Sequence, residues 1–107
     1  MDDHQRIHDL PSEQKPREKM AALGAEALSN EELLAIFLRS GTKKSSAIEI
    51  GRKLIRKYGG IVPLARIDLK ELCKEHGLGL AKACQLQAAF ELGSRAARDS
   101  SSTVSLS

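Results

Sequence analysis

The chain has 107 residues, with 17 Lys and Arg against 14 Asp and Glu, and 41% of its residues are hydrophobic. That length is typical of one domain around one core, and the composition is unlike that of disordered chains. No apolar run approaches the ~20 residues that a membrane-spanning helix needs. The N-terminal sequence MDDHQRIHDL lacks the apolar segment of a secretory signal, and there are two cysteines. These features predict a cytoplasmic protein with free thiols and no membrane partner.

The residue types favour helices over strands. Leu occurs 15 times and Ala 13 times, whereas Val and Thr occur twice each. Because Leu and Ala lose little conformational freedom in a helix, the composition predicts an all-α fold. The three aromatic residues are too few for a sheet on which bases stack.

The predicted elements begin after a tail. Residues 1–15 show no hydrophobic periodicity and predict a flexible segment. Pro16 stands at a favoured first helical position and Gly24 at a stop, which predicts the first helix. Three further helix starts have a capping residue three positions before a Glu: Ser29–Glu32, Ser46–Glu49 and Asp68–Glu71. The helix after Ser29 is predicted to end at Gly41, and the helix after Ser46 at the pair Gly59-Gly60.

The two halves of the chain repeat one pattern. Glu32-Leu33 and Glu71-Leu72 each open a capped helix that a glycine-bearing hairpin and another helix follow. The repeat predicts a compact bundle of five or six short helices, made of tandem helix-hairpin-helix units in a SAM-like arrangement. The last helix is predicted from about Leu80 to Arg98. The domain is therefore expected over residues 16–98, with residues 99–107 a disordered tail or the start of a linker.

Positive charge is concentrated in residues 39–57, which hold seven bases and one acid, a net charge of +6. Such a block indicates a polyanion partner, and a solvated helix face is the alternative interpretation. Helical spacing places four of the bases on one side of the helix after Ser46, and two more precede that helix in the hairpin. The four are Arg52, Lys53, Arg56 and Lys57. The candidate nucleic-acid contacts in this block are Lys43, Lys44, Arg52, Lys53 and Arg56.

The second hairpin has the sequence Gly77-Leu78-Gly79 between two predicted helices and resembles the helix-hairpin-helix motif. Both glycines permit a tight turn with positive φ, and Leu78 is expected to anchor it in the core. The first amides of the next helix, including that of Ala81, would have no intrahelical partner and could bind a phosphate, and Lys82 would add a positive charge. These groups would contact the nucleic-acid backbone and not the bases. A plain tight connection between helices is the alternative.

A longer resemblance covers about residues 15–98. Lys15–Met20 (KPREKM), Leu23–Thr42 (LGAEALSNEELLAIFLRSGT) and Ala89–Arg95 (AFELGSR) are similar to the N-terminal region of the bacterial RadC family, also catalogued as UPF0758. The resemblance implies a helical domain with helix-hairpin-helix character, in a family labelled as DNA repair proteins. In that family the domain precedes a JAB/MPN-type domain that is similar to zinc metallopeptidases. The zinc ligands of that second domain have no counterpart in this sequence, so no catalytic residue is expected.

We expect no cofactor and no metal. His4 and His8 have the spacing of a helical metal pair, but nothing predicts a helix there, and Cys73 and Cys84 are predicted to be small buried residues. The resulting hypothesis is a monomeric, non-catalytic module that binds DNA weakly through phosphates, without sequence preference. The alternative is a protein-interaction or regulatory domain that positions the JAB/MPN-type domain of the family.

Overall fold

The computed structural model describes the backbone of residues 14–106 and the side chains of residues 15–99. All regular secondary structure in this part of the chain is helical, which confirms the predicted all-α class. The elements are α1 (Gln14–Leu23), a 3₁₀ helix (Ala25–Ala27), α2 (Asn30–Leu38), α3 (Ala47–Tyr58), α4 (Ile61–Ala65), α5 (Leu69–Cys73) and α6 (Leu80–Leu106).

The first helix starts earlier than the sequence predicts. It begins at Gln14 and not at Pro16. Pro16 still lies in the first helical turn, where its missing N–H removes no intrahelical hydrogen bond. Residues 1–13 of the predicted flexible tail lie outside the described residues.

The chain divides into two units between Leu64 and Ala65. In the first unit, α2 packs against α3, and the buried side chains come mainly from these two helices. They are Leu28, Leu34, Ala35, Leu38, Ala47, Ile50, Leu54 and Leu64. An ion pair of 3.1 Å between Lys19 Nζ and Glu32 Oε1 connects α1 to α2.

Two of the three predicted capping boxes are confirmed. The Ser29 hydroxyl accepts a hydrogen bond from the Glu32 amide at 3.1 Å, and the Glu32 carboxylate accepts one from the Ser29 amide at 2.9 Å. Ser46 and Glu49 form the same pair of bonds at the start of α3. The third prediction is wrong, because Asp68 is the N-cap of α5 but its side chain makes no capping bond. The five-residue α5 instead begins with a backbone bond from the Leu72 amide to the Asp68 carbonyl.

The ends of α2 and α3 differ in how well the sequence predicts them. Gly59 adopts the left-handed conformation (φ 86°) directly after α3, as its position predicts. The predicted end of α2 at Gly41 is wrong, because the helix stops at Leu38 and the next residue, Arg39, has φ 71°. The chain therefore reverses before it reaches the glycine.

The second unit contains α5, the hairpin and α6. Its core consists of Leu72, Leu78, Ala83 and Leu86. The Gln87 side chain donates a 2.7 Å hydrogen bond to the Ile67 carbonyl, which ties α6 to the segment before α5.

The last helix is longer than the sequence predicts. It continues to Leu106, past the expected end near Arg98. Residues 99–106 contain neither glycine nor proline, so no residue in this segment interrupts helical hydrogen bonding. The role of residues 99–107 as the start of a linker stays a prediction.

Candidate nucleic-acid interface

Helix α3 carries an apolar side and a basic side. Its buried residues, Ala47, Ile50, Gly51 and Leu54, recur at helical spacing. Arg52 and Lys53 lie between Gly51 and Leu54 in sequence, Arg56 follows Leu54, and all three are exposed. Because successive helical residues turn by about 100°, burial of one side forces the three cations outward.

Gly51 explains how closely α3 approaches α2. A Cβ at this position would lie 3.1 Å from the Glu31 carbonyl oxygen and 3.2 Å from Leu34 Cβ. The two helices therefore meet at a distance that a larger residue at position 51 would increase. Sequence reasoning missed this residue, although an isolated glycine inside a helical pattern is a signal of close packing.

The loop between α2 and α3 presents two more cations. The Thr42 amide donates to the Ser45 carbonyl at 2.8 Å, and the Thr42 hydroxyl accepts from the amides of Lys44 and Ser45 at 3.2 Å each. These bonds close the loop on itself, while the side chains of Lys43 and Lys44 are exposed. The backbone that carries both lysines is thus held by three hydrogen bonds.

The described residues place no acid in an ion pair with the cations of this surface. Lys43, Lys44, Arg52, Lys53 and Arg56, called the basic face below, form no ion pair within the part of the chain that the structure describes. The one acid in the same sequence block, Glu49, is held by the Ser46 amide at 3.0 Å in the capping box. The ammonium group of Lys57 lies 5.5 Å from the centre of the Tyr58 ring.

The second hairpin lies in the other unit, and only part of its predicted geometry is present. Gly77 has φ 87°, and Leu78 is buried with 7% of its surface exposed. Gly79 does not have a positive φ, and nothing lies within 4 Å of a Cβ placed there. Of the two glycines at which the sequence permits a positive φ, only Gly77 adopts one.

The start of α6 presents groups that suit a phosphate. No acid lies in its first turn, Ala81 is exposed and Lys82 is partly exposed. Helix N-termini favour anions through their amides and dipole. Glu75, two residues before Gly77, is partly buried and brings a negative charge to the same hairpin.

The described residues give little support for a metal site, a buried pair of thiols or a membrane-spanning helix. No group of three His, Cys, Asp or Glu side chains in this part of the chain could hold a metal ion, and His4 and His8 lie outside it. Cys73 is partly buried, but Cys84 is exposed, so the prediction that both are buried is wrong for Cys84. No helix among the described residues is long and apolar enough to cross a membrane.

Fold and surface together define an all-α domain whose first unit has an exposed basic face without ion pairs to other described residues. A profile of the UPF0758 N-terminal domain matches residues 7–84. The UPF0758 protein of Chromohalobacter salexigens is 55% identical over 89 residues, which are 83% of this chain and 40% of that protein. The UPF0758 protein of Moorella thermoacetica is 50% identical over 91 residues, 85% of this chain and 40% of that protein.

The UPF0758 protein of Chloroflexus aurantiacus is 46% identical over 93 residues, 87% of this chain and 41% of that protein. The chain therefore belongs to the UPF0758 family, as the sequence resemblance implies, through the family's N-terminal domain. It spans about 40% of the length of the curated relatives that it matches. No solved structure matches it.

Proposed function

We propose that this chain is a DNA-binding module that docks on phosphates without reading sequence, and that the basic face is its main contact surface. The observation that carries the proposal is the set of five exposed cations on α3 and the loop before it, none of which forms an ion pair with another described residue. Unpaired surface cations raise the local positive potential and attract a polyanion. Contacts to phosphates position a protein on DNA and carry no sequence information.

The spacing on α3 suits a charged backbone. Arg52 and Arg56 are four residues apart, which separates their Cα atoms by about 6 Å along the helix axis. Phosphates of one strand follow each other every ~3.4 Å of the duplex axis, so the two long side chains can reach different phosphates. Lys43 and Lys44 add two exposed cations in the loop that precedes α3.

The second hairpin supplies a weaker, separate contact in this proposal. The amides at the start of α6 and the charge of Lys82 suit one phosphate. Glu75 opposes this attraction, so the electrostatic part of binding comes mainly from the first unit. We expect three to five neutralised phosphates, which corresponds to a slope of log K against log salt of roughly −3 to −4.5.

A salt titration tests the proposal. Fluorescence anisotropy with a labelled short duplex should give a Kd on the order of 10⁻⁴–10⁻⁶ M at physiological salt, with similar values for unrelated sequences. A quadruple variant, with Lys43, Lys44, Arg52 and Arg56 changed to Gln, should bind every duplex more weakly and flatten the salt slope.

A control variant separates the basic face from net charge. It changes four other exposed cations to Gln: Arg17, Arg66, Lys70 and Lys74. Both variants lose four positive charges, so only a localised interface distinguishes them. Equal losses in the two variants would contradict an interface on the basic face. A parent protein without salt-dependent binding would refute DNA binding altogether.

The second candidate function is a protein-interaction or regulatory domain that positions the rest of a longer UPF0758 protein. Two observations favour it. The relatives have more than half of their length outside the matched region, and Leu80 and Leu92 on α6 leave 64% and 68% of their surface exposed. In this case the affinity for duplex DNA at physiological salt should be negligible.

A further inference from the structure

Arg39, the residue that follows α2, has a backbone conformation that residues other than glycine rarely adopt. Its φ is 71° and its ψ is −57°, and the Ser40 amide donates a 2.8 Å hydrogen bond to the Leu38 carbonyl across it. These angles and this bond define a γ-turn of the strained type. Arg39 is the one residue other than glycine with a positive φ in the described part of the chain.

No contact among the described residues stabilises an arginine at this position. Its side chain is exposed and takes part in no hydrogen bond or ion pair within the described residues. A glycine would adopt the same turn without steric conflict between a Cβ and the backbone. Strained residues persist where the surroundings enforce them, and they concentrate at functional sites.

The surroundings of Arg39 are the loop that carries Lys43 and Lys44. Gly41 closes that loop against the backbone of Ser45, at a distance that leaves no room for a Cβ, and the hydroxyl of Thr42 accepts two backbone bonds. The strained turn is therefore the first part of a loop that close backbone contacts and hydrogen bonds brace in one conformation. The exposed charges of this loop are all positive. Bracing of this kind reduces the entropy lost when the loop binds a ligand.

We propose that Arg39 is a phosphate-binding residue of the DNA interface, at the end of the basic face where α2 enters the loop. The proposal rests on the function proposed above and adds a sixth cation to it. A guanidinium group can donate two parallel hydrogen bonds to one phosphate, which a lysine cannot do. The backbone angles of the strained turn restrict the directions that the side chain can take, and a phosphate contact would account for an arginine where a glycine would be unstrained.

Two variants separate the charge of Arg39 from its backbone strain. Arg39→Gln removes the charge and keeps a residue with a Cβ in the strained turn. Arg39→Gly removes both, and it should raise the thermal midpoint of unfolding because glycine relieves the strain. Arg66→Gln is the control, since Arg66 is exposed, lies in the second unit and also lacks an ion pair among the described residues.

The readout is the salt dependence of duplex binding by the full chain. Both Arg39 variants should bind more weakly than the parent, and the slope of log K against log salt should become about 0.9 less negative, the share of one phosphate. Arg66→Gln should leave that slope unchanged. Arg39→Lys should retain most of the slope but lose affinity at each salt concentration, because it keeps the charge without the paired donors.

Each other outcome has a defined meaning. Parent-like binding by Arg39→Gly, or equal losses in Arg39→Gln and Arg66→Gln, would overturn the proposal while leaving DNA binding by the basic face intact. A lower thermal midpoint for Arg39→Gly would overturn the argument from strain. A parent that shows no salt-dependent binding would remove the proposed function and this inference with it.

Discussion

Replacement of Gly41 by alanine tests whether the loop between α2 and α3 is closed as the structure shows. A Cβ at this position would collide with the Ser45 carbonyl oxygen and lie 2.6 Å from the carbonyl carbon of Ser46 and 2.7 Å from the Ala47 nitrogen. Favourable contacts between carbon atoms lie at about 3.5–4.0 Å. All three neighbours are backbone atoms, so no side-chain rotation can relieve the overlap.

The expected loss of stability follows from the hydrogen bonds that the loop must give up to make room for the Cβ. Separation of Gly41 from Ser45 removes the 2.8 Å bond from the Thr42 amide to the Ser45 carbonyl and displaces the two amides that bond to the Thr42 hydroxyl. Each such bond contributes about 0.5–1.5 kcal/mol net. We therefore expect Gly41→Ala to lower the free energy of unfolding of the first unit by about 2–4 kcal/mol.

Urea unfolding followed by far-ultraviolet circular dichroism measures this change. Gly93→Ala is the matched control, because Gly93 lies inside α6 and nothing occupies the space around its missing Cβ. In that exposed helical position alanine should stabilise the protein by about 0.5–1 kcal/mol. A Gly41→Ala variant as stable as the parent would refute the closed loop.

Three further predictions concern local interactions. Gly77→Ala should cost about 1–2 kcal/mol because Gly77 has φ 87°, whereas Gly79→Ala should cost less than about 1 kcal/mol; equal shifts in urea titrations would contradict the assigned turn. Ser29→Ala should cost about 1 kcal/mol and Asp68→Ala much less, since only Ser29 caps through its side chain, and thermal unfolding of both variants compares them. The Ser29 amide, and secondarily an ammonium group, lowers the pKa of Glu32 below its ordinary 4.5. Its stabilising contribution is therefore present above that value and is lost as the pH falls through the folded-state pKa, so Glu32→Gln should flatten the acid limb of urea midpoints plotted against pH.

Local features of the fold were predictable because their interactions join residues close in sequence. The capping boxes at Ser29 and Ser46 each involve a residue three positions away, and Gly59 ends α3 through its own φ and a bond to the preceding turn. The exposed side of α3 follows from helical periodicity, so the positions of Arg52 and Arg56 could be inferred from spacing. Family membership, too, was visible in the motifs between Leu23 and Thr42.

Other features depend on which atoms the tertiary fold brings together. Asp68 has the sequence of a capping residue, yet its side chain makes no such bond at the start of the short α5. The pattern Gly-Leu-Gly does not reveal that Gly77 has the positive φ and Gly79 does not. Likewise, no pattern of residue types distinguishes an exposed Cys84 from a buried one.

The candidate interface shows the same division. The sequence alone determined that residues 39–57 carry a net charge of +6 and which of them share one side of a helix, because charge and helical phase are local properties. Only the tertiary structure decided that Gly51 brings α3 against α2, that Gly41 meets the backbone of Ser45, and that Arg39 bends the chain through a strained turn. Those three features depend on close contact or chain reversal between successive elements. Such contacts are set by the backbone geometry of the folded chain, and a pattern of residue types along the sequence does not reveal them.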